Sequence, residues 1–158
     1  MEIVLIGSGS YVCGGKKKDF GTILPAILTF SKLNNIFIEI TVAINSRSSS
    51  ENFIKKLDLL NQLISTKDLI KYNLIFCEGS PEKFLLKYKP KGGIVAGIVS
   101  IPDHLHYEWS KALIKAKIPL LVVKPLTLKL NDSIKLFNLS KKLSTPILDR
   151  KSTRLNSS

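Results

Sequence analysis

The sequence predicts a doubly wound α/β fold, in which helices cover both faces of a parallel β-sheet to make three layers. Short runs of β-branched residues and leucine alternate with longer segments of helical periodicity along almost the whole chain. Such alternation builds βαβ units, and their right-handed crossovers place helices on both sides of the sheet. The chain has 158 residues, which is enough for one domain with a full hydrophobic core.

Two strands and two helices are predicted in the first half of the chain. Residues 2–6 and 37–44 are apolar, β-branched runs, and the first ends at Gly7. Residues 7–21, rich in Gly, Ser and Lys, predict a loop. Thr22 is placed to cap a helix to residue 32, with Pro25 in its first turn, and Ser50 is placed to cap a helix to residue 63.

The second half repeats the pattern with shorter elements. The predicted strands cover residues 74–77, 93–100 and 119–123, and the second of these contains no charged residue. The predicted helices cover residues 81–88 and 103–115, and a last helix runs from Asn131 or Asp132 to residue 143. We expect the sheet to lose its sixth strand, which would follow Leu148.

The last ten residues, 149–158, differ from the rest of the chain. They resemble the translation of a sequencing adapter, and they contain two of the three arginines in the sequence, Arg47 being the other. We therefore treat residues 1–148 as the native domain, incomplete at its C-terminal end, and exclude the tail from the fold prediction.

Composition narrows the function classes. The formal net charge of +12 suggests nucleic-acid binding, but the lysines are scattered among Ile, Asn, Leu and Ser, without the aromatic–basic interleaving of such proteins. Cys13 and Cys77 have no metal-binding or redox spacing, which predicts free thiols in a reducing compartment. No apolar run reaches the roughly 18–20 residues of a membrane span. We expect a cytoplasmic protein that binds neither nucleic acid, membrane nor metal.

In a doubly wound sheet the ligand lies beyond the carboxyl ends of the strands. Gly7-Ser8-Gly9, followed by Ser10 and Tyr11, comes directly after the first strand. Two glycines at this spacing permit a tight turn and a close approach of the backbone to a pyrophosphate. The third glycine of the usual fingerprint is replaced by Val12, so the pattern is compatible with a dinucleotide site, another nucleotide or methyl-donor site, or a plain turn. The lysines at 16–18 either lie near phosphates or form a solvated loop tip.

The end of the second strand carries Asn45-Ser46-Arg47 where many NAD enzymes have a carboxylate on the ribose hydroxyls. No acidic group is there to repel a 2′-phosphate, and Arg47 can pair with one. This favours NADP over NAD, although a surface arginine in a serine-rich loop is an equally good interpretation.

Three segments together resemble the family of glucose-fructose oxidoreductase, inositol dehydrogenase and MocA (Gfo/Idh/MocA). They are Ile6-Gly7-Ser8-Gly9, then residues 99–106 with the P-x-x-x-H pattern from Pro102 to His106, and then residues 121–126, similar to an E-K-P-L motif. Residues 11–15 and 20–26 resemble a subgroup with a lengthened glycine loop. This subgroup has Val-Lys-Pro in place of Glu-Lys-Pro, as residues 123–125 do here. The resemblance covers residues 1–148 and implies a Rossmann-like domain that binds NAD or NADP.

The resemblance also implies roles for individual residues. Lys124 is expected to lie near the nicotinamide and a substrate hydroxyl, as the catalytic residue. Ser100, Ile101, Pro102 and His106 are expected to shape the cofactor pocket, with a structural role for His106 favoured over an acid–base one. Pro125 is expected to shape the turn after its strand, with a peptide bond that is often cis in the family.

The whole protein is then expected to be an oxidoreductase that transfers hydride between a nicotinamide and a hydroxyl-bearing carbon of a sugar, cyclitol or related polyol. The substrate domain of the family is not present in this sequence, so we expect this chain to bind cofactor without turning over substrate, and the full-length protein to be a homo-oligomer. The alternative is a non-catalytic NAD(P)-binding or sensor module, which the change from Glu-Lys-Pro to Val-Lys-Pro favours.

Overall fold

A computed structural model describes residues 1–15 and 19–150 of the chain. The described residues form a six-stranded parallel sheet in the order β3-β2-β1-β4-β5-β6. The strands are β1 Glu2–Ile6, β2 Ile38–Ile44, β3 Ile70–Phe76, β4 Val95–Val99, β5 Leu120–Val123 and β6 Ile147–Arg150. The order reverses direction between β1 and β4, as in doubly wound nucleotide-binding sheets.

Helices cover both faces of this sheet. They are α1 Ser10–Cys13, α2 Ile23–Asn34, α3 Arg47–Ile64, α4 Pro81–Lys87, α5 His106–Lys115 and α6 Leu130–Leu143, with a 3-10 turn at Asp103–Leu105. Among the described residues, none of the helices combines the length and the apolar character needed to cross a bilayer.

Strand β1 lies at the centre and is buried on both faces. Its alternate residues belong to different cores: Leu5 packs in the core that includes residues of α2 and α3, and Ile6 in the core that includes residues of α4, α5 and α6. This follows from the period of two in a strand. The three-layer α/β prediction is therefore confirmed.

The register of the sheet aligns the strand ends. Ile6 of β1 pairs with Ala43 of β2 and with Val99 of β4, and Val99 in turn pairs with Val122 of β5. Because all these strands are parallel, the residues that follow them emerge along one edge of the sheet.

Several predictions about the elements were wrong. The loop at 7–21 contains the short helix α1, which glycine and serine content concealed. Helix α3 is capped by Ser46, whose Oγ accepts a hydrogen bond from the Ser49 N–H at 3.2 Å, whereas the Ser50 hydroxyl donates to the Arg47 carbonyl at 2.7 Å.

The expected loss of the sixth strand was also wrong. Residues 147–150 pair in parallel with residues 120–123 of β5, because a ladder needs only backbone groups and β5 leaves one edge open to it. The strand includes residues 149 and 150 of the tail that we had excluded. Residues 151–158 of that tail and the lysines at 16–18 lie outside the described residues.

Candidate functional site

A cavity of about 640 Å³ lies at the carboxyl edge of the sheet, where the strand order reverses. The loops after β1, β2, β4 and β5 all contribute to it. Its lining residues are Gly7, Ser8, Gly9, Ser10, Tyr11, Ala43, Asn45, Ser49, Ser100, Ile101, Pro102, Asp103, Val123 and Lys124. Four segments that are far apart in sequence thus line one cavity.

Gly7 is required because the loop after β1 lies close against the loop after β4 at this residue. Its φ is +103°, and a Cβ at this position would lie 2.2 Å from the Ser100 carbonyl oxygen and 2.9 Å from Cγ2 of Ile101. A side chain is excluded both by the backbone conformation and by space. The loop after β1 can therefore lie against the loop after β4 only because residue 7 is glycine.

Gly9 differs from Gly7 because none of the described residues excludes a side chain there. It is the N-cap of α1, with φ −71°, and no atom lies within 4 Å of the position of a Cβ. Since Gly9 also lines the cavity, a side chain here would reduce the space available to a ligand.

The lengthened loop depends on a further glycine, Gly21, for close packing. Val12 occupies the usual third glycine position and is fully buried in the core. A Cβ on Gly21 would lie 2.4 Å from the carbonyl carbon and oxygen of Val12, so α1 and the start of α2 depend on a glycine at position 21 for their close packing.

The end of β2 places Asn45 in the cavity wall. The Asn45 side-chain Oδ1 accepts a hydrogen bond from the Gly79 N–H at 2.8 Å, which ties the loop after β2 to the loop after β3. Ser49, in the first turn of α3, also lines the cavity. Arg47 does not, since its side chain is 90% exposed and pairs with Glu51 at 3.1 Å.

Lys124 and Asp103 are the charged side chains of the cavity lining. Lys124 follows β5, and its peptide bond to Pro125 is cis. Among the described residues, no carboxylate forms an ion pair with Lys124. Within residues 1–15 and 19–150, its ammonium group therefore has no ion-paired carboxylate that a ligand would have to displace.

His106 lies behind the cavity wall. Its side chain is fully buried, with Nδ1 2.6 Å from the Pro125 carbonyl oxygen and Nε2 2.9 Å from the Ile101 carbonyl oxygen. The ring thus contacts the loop after β4 and the loop after β5 simultaneously.

Most of the predicted site residues meet at this cavity. Those that line it are Gly7, Ser8, Gly9, Ser10, Tyr11, Asn45, Ser100, Ile101, Pro102 and Lys124, whereas Ser46, Arg47, His106 and Pro125 do not. Four further lining residues were not predicted from the sequence: Ala43, Ser49, Asp103 and Val123. Ser49 would have been found from the correct start of α3, and Asp103 and Val123 adjoin predicted residues.

The two cysteines, at positions 13 and 77, are free and buried, as the spacing predicted. Burial raises the pKa of the Cys13 thiol to about 12, an effect that nearby Lys56 opposes. Burial also raises the pKa of the Cys77 thiol. Since the thiolate is the nucleophile, neither residue is suited to covalent catalysis. The described residues contain no group of His, Cys, Asp and Glu able to hold a metal ion.

The fold is similar to that of solved nicotinamide-dependent enzymes. A 3-ketoreductase variant from Actinomadura kijaniata, in complex with TDP-benzene and NADP, is 18% identical with a TM-score of 0.60, over 95% of this chain and 37% of that one. A dehydrogenase from Thermus thermophilus, in complex with NAD and UDP-GlcNAcA, is 17% identical with a TM-score of 0.56. The match covers 94% of this chain and 40% of that one. A biliverdin reductase from Synechocystis, in complex with biliverdin and NADP+, is 13% identical with a TM-score of 0.57. The match covers 94% of this chain and 37% of that one.

At these identities the similarity establishes the Rossmann-like fold. The chain spans 37–40% of the length of these three proteins. No protein-family model matches the sequence, and no curated protein sequence matches it.

Proposed function

We propose that this chain is the nucleotide-binding part of an NAD(P)-dependent oxidoreductase of the Gfo/Idh/MocA type. The observation that carries the proposal is the cavity at the reversal of strand order, with the glycine loop in one wall and Lys124 in another. In doubly wound sheets this crevice is the place where dinucleotides bind. The solved structures of similar fold, which contain NAD or NADP, support the same cofactor.

The residues present fit such a cofactor. A volume of about 640 Å³ lies in the range of pockets that bind cofactors. The glycine loop, Gly7 to Tyr11, carries no carboxylate that would repel a pyrophosphate, and the wall at Gly9 is free of side-chain atoms. Asn45 and Ser49 offer neutral hydrogen-bonding groups at the end of β2, where the adenosine ribose would lie.

Lys124 is the catalytic residue in this proposal. The cofactor supplies hydride chemistry, and the protein supplies orientation and electrostatic stabilisation. The Lys124 ammonium donates a hydrogen bond to the substrate hydroxyl and stabilises the negative charge that develops on its oxygen. The substrate of the whole protein is a sugar, cyclitol or related polyol, bound with residues outside this sequence.

Val123 favours a second candidate, a non-catalytic NAD(P)-binding or sensor module. It lines the cavity at the position where the related motif has glutamate, so no carboxylate adjoins Lys124 in the sequence. The two candidates differ in the longer protein. Hydride transfer that is abolished by Lys124→Ala supports the enzyme, and saturable cofactor binding without hydride transfer to any polyol supports the sensor.

NADP is the preferred cofactor in this proposal, because no carboxylate at the end of β2 repels a 2′-phosphate. Arg47 would hold that phosphate in place of Glu51, to which it binds through an exposed and therefore weak ion pair. We expect Arg47→Ala to weaken NADPH binding about tenfold, with NADH binding unchanged. Equal losses of affinity for NADPH and NADH would show that Arg47 does not recognise the 2′-phosphate.

The test of the cofactor site is a fluorescence titration of the chain with NADH and with NADPH. Gly9→Asp places a carboxylate in the cavity wall without a clash inside the protein, and we expect it to weaken binding at least about tenfold. Asn138→Asp is the matched control, since it adds the same charge at an exposed position of α6. A folded chain that binds neither cofactor, or a Gly9→Asp variant that binds as well as the control, contradicts the proposal.

A further inference from the structure

His106 occupies a position that neither its sequence motif nor the cavity lining explains. It is the first residue of α5, and no part of its side chain is exposed. Each ring nitrogen lies within hydrogen-bond distance of a backbone carbonyl oxygen, that of Pro125 at 2.6 Å and that of Ile101 at 2.9 Å.

These two partners determine the chemistry of the ring. A carbonyl oxygen can only accept a hydrogen bond, and a neutral imidazole has a single N–H to donate. A neutral His106 would therefore direct a nitrogen lone pair at one of the two oxygens, at a distance that leaves no room for a water between them. Only the imidazolium, with a hydrogen on both nitrogens, donates to both carbonyls, and its charge strengthens each bond.

The two carbonyls belong to the two loops that build one end of the cavity. Pro125 directly follows Lys124, so a bond to its carbonyl oxygen restrains the backbone that carries the lysine. Ile101 lines the cavity, and its side chain would lie 2.9 Å from a Cβ on Gly7. One ring thus connects the Lys124 loop to the loop that contacts the glycine turn.

We propose that His106 is a positioning residue, held as an imidazolium, that sets the place of Lys124 relative to the loop after β4. The inference about Lys124 rests on the proposed function, in which this lysine lies at the nicotinamide end of the cavity. The state of the ring does not rest on it. His106 does not line the cavity, so its role is exerted through the two loops that it contacts.

The ring is tested first by NMR of the chain labelled with 15N at histidine. The expected result is a hydrogen on both His106 nitrogens in a long-range 1H–15N spectrum, with the signals assigned by their loss in His106→Gln and their retention in His104→Gln. His104 is the control because it is exposed and does not line the cavity. A His106 ring with one bare nitrogen overturns the proposal, whatever the chain binds.

The positioning role is tested by comparing NADH with ADP-ribose, which lacks the nicotinamide. His106→Phe keeps a ring and removes both donors, and we expect it to weaken NADH binding about tenfold, with less than about a threefold effect on ADP-ribose. His106→Gln can donate to one carbonyl and should give an intermediate loss, so it replaces His106→Phe if that variant does not fold.

The outcomes separate this inference from the proposed function. Equal losses for NADH and ADP-ribose, or none for either, overturn the positioning role. A wild-type chain that binds neither ligand contradicts the proposed function and, with it, the role assigned toward Lys124, whereas the NMR result still decides whether the ring bridges the two loops as an imidazolium.

Discussion

Gly7 and Gly9 form a matched pair that separates the fold from the site. In Gly7→Ala the new methyl group would lie 2.2 Å from the Ser100 carbonyl oxygen, at a backbone φ of +103°. Overpacking of this kind costs about 1–3 kcal/mol, and the left-handed backbone conformation costs a further 1–2 kcal/mol or so. We expect a loss of about 3 kcal/mol in the free energy of unfolding, a large part of the roughly 5–15 kcal/mol of a typical domain.

Gly9→Ala is the control in the same loop. Its φ of −71° suits alanine, and no other side chain or backbone group of the described residues lies within 4 Å of the new Cβ. The unfolding free energy should therefore stay within about 1 kcal/mol of wild type, and an increase is as expected as a decrease.

Urea denaturation measures both variants. With a slope of about 2 kcal/mol per molar urea, Gly7→Ala should lower the midpoint by about 1.5 M, and Gly9→Ala by less than about 0.5 M. Similar midpoints for the two variants would refute the close approach of the loops after β1 and β4 on which the cavity depends.

Three further predictions concern the elements around the cavity. Ser46→Ala removes the cap of α3 and should lower the unfolding free energy by about 1 kcal/mol, whereas Ser48→Ala should change it much less, as urea midpoints will show. Gly21→Ala places a methyl group 2.4 Å from the backbone of α1 and should destabilise the chain by about 1–3 kcal/mol in the same assay. Burial and raised thiol pKa values should slow alkylation of Cys13 and Cys77 by iodoacetamide at least about tenfold relative to the urea-unfolded chain; a thiol that reacts rapidly in the native chain contradicts its buried position.

The sequence predicted the central strands well because burial on both faces leaves a continuous apolar run. Strand β1 is such a run, and its predicted limits match the structure. Strand β3 was predicted too short because it is the edge strand of the sheet, where Lys71, Tyr72 and Asn73 are exposed and the apolar signal is lost.

The helix starts were harder to predict, because several residues can serve as a cap. In the serine-rich segment after β2, Ser46, Ser48, Ser49 and Ser50 all carry a hydroxyl that can accept a backbone hydrogen bond. The apolar period, which begins at Phe53, cannot choose among them. In the structure Ser46 is the N-cap, so Ser49 lies in the first turn of α3, where it lines the cavity.

The site was predictable in outline because topology determines it more than any single motif does. Parallel strands with aligned registers bring the residues after β1, β2, β4 and β5 to one edge, so position relative to a strand end was sufficient to identify most of the lining. The contact of His106 with two loops was not predictable in this way. It depends on the conformations of those loops, in which the carbonyls of residues 101 and 125 meet one ring although they are far apart in sequence. The P-x-x-x-H motif predicts that a histidine is present at position 106. The two carbonyl groups that its ring contacts are determined by how the loops after β4 and β5 pack together.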